Sequence, residues 1–123
     1  MIPHPSSSCG PLLIAMFIAL SVSGCVEIPR VTPELVTVAV QRDRTTTQER
    51  LEVGRSIYVN RCSSCHSLYS PDAYSESEWK SWVRRMGPKS HIDRGQEATL
   101  LVFLFAARDM VMRGEGAQLP VPK

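Results

Sequence analysis

Residues 62–66 read Cys-Ser-Ser-Cys-His, and no other feature of the chain constrains its fold as tightly. Two thiols stand three positions apart on one helical turn, with an imidazole directly behind the second. The chain's own composition would produce such a string only about 0.003 times by chance. Three chemistries use cysteines at this spacing. A zinc site needs four donors, and after Cys25 only His91 is left to join Cys62, Cys65 and His66. A thioredoxin-like redox pair belongs in a βαβ setting, which the helical pattern described below denies. The third chemistry is covalent attachment of haem. Each thiol adds to one vinyl group of the porphyrin, and the next residue lies under the iron. Cys62 and Cys65 are therefore read as the covalent attachment residues for one haem c, and His66 as the proximal iron ligand.

Size limits what else the chain can do. Its 123 residues, 43% hydrophobic and 21% charged, hold one compact domain at most, which excludes a multidomain enzyme. Fourteen Lys and Arg against 12 Asp and Glu leave a scattered +2, too weak for nucleic-acid binding to be expected. No gathering of acid and base groups marks a substrate pocket, so no catalytic residue and no enzymatic activity are expected. The four cysteines, Cys9, Cys25, Cys62 and Cys65, fall into separate contexts rather than one disulfide framework.

The apolar run Leu12 to Val22 is 11 residues long, whereas a bilayer-spanning helix needs about 20. Followed by Val22-Ser23-Gly24-Cys25, it reads as a secretory signal peptide covering residues 1–24. No Lys or Arg precedes the run, a departure from the usual positive n-region. The four residues resemble the lipobox of bacterial lipoproteins. That resemblance implies that Cys25 becomes the lipidated first residue of the mature chain, anchored on the periplasmic side of a bacterial membrane. Ordinary secretion with cleavage nearby, and retention as an uncleaved anchor, are the alternatives. Cys9 lies in the removed segment on either secreted reading.

Residues 25–46 read as a lipid-anchored tether, because Pro29 and Pro33 oppose a helix. Its Leu35–Val40 portion is expected against the domain, with a short helix or strand as the alternative. A cytochrome-sized domain follows over residues 47–113. Leu51, Gly54, Ile57 and Tyr58, three and four apart, mark one face of a first helix running into Cys62. Ser75-x-x-Glu78 is a capping box, and Trp79, Trp82, Val83 and Met86 continue it as a stripe that Gly87-Pro88 ends. A third helix, Gln96 to Arg108, is apolar nearly all round and so buried. Residues 114–123 read as a flexible tail. Arg61, Lys80, Arg84, Arg85, Lys89 and Arg94 flank these segments. They read as a solvated face, with Glu76 and Lys80 as an i,i+4 pair; a ring that steers an acidic redox partner is the alternative.

Gly54-x-x-x-Tyr58 ahead of Cys62-x-x-Cys65-His66 resembles the N-terminal helix of class I cytochromes c. There the glycine lets the C-terminal helix cross closely and an aromatic ring fills the notch, which implies Phe103 and Phe105 as counterparts. The segment Trp79 to Met86 resembles a subgroup of small bacterial cytochromes and cytochrome subunits with a W-x-x-x-V-x-x-M-like helix after the haem motif. The likeness spans about Leu51 to Arg108. It implies an all-α, small cytochrome c fold with three main helices around the haem, and Met86 as the distal iron ligand. Residue by residue, Met110, Met112, His91 and an open distal side are also available, and Met86 can simply complete its stripe. The function expected is that of a membrane-tethered monohaem c-type cytochrome carrying single electrons between a periplasmic redox protein donor and acceptor. An electron-transfer subunit of a periplasmic dehydrogenase complex and a haem-based ligand sensor are the alternatives. So small a domain is expected to depend on the covalent haem for its core.

Overall fold

Each α-helix among the described residues opens on a side chain that accepts one of the first free backbone amides. In the computed structural model, which describes residues 26–114, the Thr32 hydroxyl accepts the Leu35 N–H at 3.4 Å and the Thr47 hydroxyl accepts that of Arg50 at 3.2 Å. Ser75 and Glu78 form the expected capping box, each side chain accepting the other's backbone N–H. Asp93 and Gln96 do the same. An acidic residue in each first turn (Glu34, Glu49, Glu76, Glu97) complements the helix dipole.

The resulting elements are α1 (Pro33–Arg42), α2 (Gln48–Ile57), α3 (Glu76–Met86) and α4 (Arg94–Met112). A π-helical turn, Tyr58–Cys62, continues α2, and a single 3₁₀ turn, Pro71–Ala73, precedes α3. The described residues are all-α, without a strand. Among them no helix is long and apolar enough to cross a membrane. Residues 1–24, with Cys9, the lipidation candidate Cys25, and residues 115–123 lie outside the described part.

Helix α4 is the axle on which α1, α2, α3 and the 3₁₀ turn all pack. Its Leu100, Phe103 and Leu104 are fully buried with Leu35 of α1 and Leu51 of α2. The closest approach is at Gly54, where a Cβ would stand 2.6 Å from the Thr99 carbonyl oxygen and 2.7 Å from Phe103 Cβ. Only a residue without a side chain lets α2 and α4 cross this closely. Phe103 fills the crossing; Phe105 does not, lying instead between the Arg42 guanidinium and the Lys80 ammonium, 5.4 and 5.6 Å from its ring centre.

Three expectations need correction. The segment 25–46 is not a tether throughout, because residues 33–42 form α1, with Leu35, Val38 and Ala39 buried against the core. Pro33 occupies the first helical position, where its missing N–H costs nothing and its fixed φ favours the helix. Among the described residues there are accordingly four α-helices, not three. Helix α4 runs on to Met112, so Met110 and Met112 belong to it rather than to a segment beyond it. Finally, Glu76 pairs with Arg42 at 2.5 Å rather than with Lys80, and Arg42 also holds Asp109 at 2.5 Å, joining α1, α3 and α4.

Ahead of α1 the chain is extended and fastened. Ile28 is buried, and Arg55 of α2 donates to the carbonyls of Pro29 at 2.8 Å and Ile28 at 3.4 Å.

Candidate haem site

The loop that follows Cys62 is held at both ends by side chains of the helices around it. The buried Tyr58 hydroxyl donates to the Tyr69 carbonyl at 2.7 Å and accepts the Tyr69 N–H at 3.1 Å. Burial pushes its phenol well above the ordinary range. Trp79 donates its indole N–H to the Pro71 carbonyl at 2.8 Å, and Arg108 donates to that of Tyr74 at 3.1 Å. The rings of Tyr58 and Tyr74 meet Trp79 edge-on, with centres 5.9 and 5.1 Å away. Each arrangement suits the aromatic quadrupole.

Between this loop and the helices lies an open-mouthed, largely apolar cavity of about 180 Å³. The loop side contributes Tyr58, Cys62, His66, Tyr69 and Tyr74, α3 contributes Trp79, Trp82, Val83 and Met86, and Ile92 and Leu100 complete the wall. Cys62 and His66 of the pentapeptide and Met86, 20 residues further on, thus face one apolar space; Cys65 does not line it. The wall holds no carboxylate, lysine or arginine.

Cys62 is half-buried, and burial pushes its thiol up; Cys65, on the same turn, is exposed. Neither thiol is in a disulfide. His66 places Nδ1 2.7 Å from the Ser67 carbonyl oxygen. A carbonyl only accepts, so Nδ1 carries the proton and Nε2 keeps a free lone pair. Met86 is the last residue of α3, half-buried on the cavity wall. Behind it, Gly87 leaves room for the Glu97 carboxylate, 2.2 Å from where a Cβ would be.

The other distal candidates stand elsewhere. Met110 is buried in the helical core, Met112 is 61% exposed on α4, and His91 is exposed in a left-handed conformation with φ 54°. None of the three lines the cavity. Among the described residues no three His, Cys, Asp or Glu converge to hold an ion by themselves. A porphyrin brings its own equatorial nitrogens and asks the chain only for axial donors and attachment points. The donor set here, two adjacent thiols, one imidazole with Nε2 free and one thioether on an apolar wall, fits that demand. Tyr69 and Tyr74 were not anticipated as wall residues; two aromatic residues within eight positions of His66 were the available signal.

No protein-family model matches the chain, and comparisons with curated proteins and with solved structures find no match either.

Proposed function

We propose that the chain is a lipid-anchored monohaem c-type cytochrome of the class I kind, carrying single electrons between redox proteins of the periplasm. The observation that carries the reading is that Cys62, His66 and Met86 line one apolar cavity. Cys62 and Cys65 would hold haem c through thioether bonds, His66 through Nε2, and Met86 through its sulfur. Bound there, the group supplies a one-electron ferric/ferrous couple.

The chain's own residues set the conditions for that couple. The wall of Trp79, Val83, Leu100 and Tyr58 gives the cavity an apolar lining, a lever on the reduction potential. A thioether from Met86 raises the potential relative to a second imidazole. The hydrogen bond from His66 to Ser67 fixes the ring and its tautomer. A wall without carboxylate, lysine or arginine suits electron carriage better than bond-making.

The test is the mass and optical spectrum of protein matured in a periplasm, beside its Met86→Ala variant. The wild type should carry the mass of one haem, show the far-red band of thioether-ligated ferric iron, and bind carbon monoxide slowly when reduced. The variant should keep the haem, lose that band and bind carbon monoxide rapidly. A colourless protein weighing only its polypeptide and acyl chains would overturn the proposal.

A further inference from the structure

The fastening of residues 28–31 changes what a lipid on Cys25 can do. Ile28 is buried, and the guanidinium of Arg55 grips the carbonyls of Ile28 and Pro29. Only Val26 and Glu27 are left between Cys25 and the first docked residue. Fully extended, three residue steps reach about 10 Å. The headgroup layer of one leaflet takes up roughly 5–7 Å of that, and a domain of this size is about 30 Å across. A link shorter than the domain's radius cannot let it swing clear of the surface.

Resting on the acylation of Cys25 proposed above, we infer that the domain is seated directly on the phospholipid bilayer by its N-terminal strap, in a fixed orientation, rather than suspended from a tether. Val26, half-exposed and apolar, lies next to Cys25, where headgroups meet acyl chains. Arg30, exposed on the strap, meets the lipid phosphates. The lipid contact surface is therefore the strap and the part of α2 around Arg55. The redox partners such a carrier serves must present their own sites close to the same membrane.

Neutron reflectometry of the acylated full-length protein in a supported bilayer of phosphatidylethanolamine and phosphatidylglycerol tests this without reference to haem. The wild type should show protein density in contact with the headgroups, with no intervening water layer. Inserting 20 Gly/Ser residues between Glu27 and Ile28 should open a gap of about 25 Å, the mean span of such a linker. A wild-type gap equal to that of the insertion variant overturns the seated arrangement while leaving the anchor intact. A mature mass without acyl chains overturns the anchor itself, and the seated arrangement with it.

Discussion

A methyl group at Gly54 would have to displace backbone. Its neighbours there, the Thr99 carbonyl oxygen and Phe103 Cβ, belong to a fixed helix rather than to a flexible side-chain end. Alanine has a helix-propensity advantage of about 1 kcal/mol, but overpacking costs about 1–3 kcal/mol. Gly54→Ala is expected to lose up to about 2 kcal/mol net, seen as a lower urea midpoint at unchanged slope. Tyr58→Phe leaves both backbone groups of Tyr69 without this partner, at an expected cost of about 1–3 kcal/mol. Tyr58 also sets a pH dependence. Because burial raises its pKa in the fold, the unfolded chain loses the phenol proton first as pH passes about 10. Wild-type stability should therefore fall as pH rises above about 10 by an increment that Tyr58→Phe lacks; equal slopes in urea titrations of the two would refute this. The capping box is legible because it depends on residues three positions apart, whereas the Gly54 crossing, with partners on α4, was implied only by the resemblance. Which methionine faces the cavity was not legible, because that depends on where α3 ends and how far α4 continues.

Helix α1 departs from the tether reading, and matches its short-helix alternative, because a proline opposes a helix everywhere except at its start, and Thr32 makes Pro33 the start. Two kinds of contact hold α1, and their magnitudes differ. The Leu35 side chain is completely buried, so Leu35→Ala should cost about 2–4 kcal/mol. The Arg42 side chain is 31% exposed, and its carboxylate partners are 37% and 20% exposed. Ion pairs so placed contribute about 1 kcal/mol or less. Thermal or urea unfolding of both variants should rank Leu35→Ala as clearly the more destabilising; the reverse order would mean that the charge network, not burial, secures α1. The apolar stripe of α3 was read correctly in its spacing, yet Trp82 remains 37% exposed while Trp79 and Val83 are buried. Periodicity names a face without saying whether that face meets protein or the mouth of a cavity.

Across the whole molecule, the largest apolar side chains divide between a helical core around α4 and the cavity wall. In the core, Phe103, Leu100 and Leu104 are fully buried. On the wall, Tyr74, Trp82 and Met86 are only partly covered by protein. Replacing both attachment cysteines, Cys62→Ser with Cys65→Ser, should therefore cost most of the native helical circular dichroism, in line with the marginal cores of domains this small. A native-like spectrum from that double variant would show that α1 and α4 suffice. The fold class was readable from hydrophobic spacing alone, whereas the cavity required loop closures by Tyr58, Trp79 and Arg108 that no local pattern encodes.

The π-helical turn at Tyr58–Cys62 acts as a ruler. It holds one residue more than an α turn, and it lies between the fixed crossing at Gly54 and the cysteines. A regular α turn over the same five residues would leave the cysteines roughly 100° away about the helix axis, so the width of this turn, as well as its side chains, decides where the pentapeptide faces.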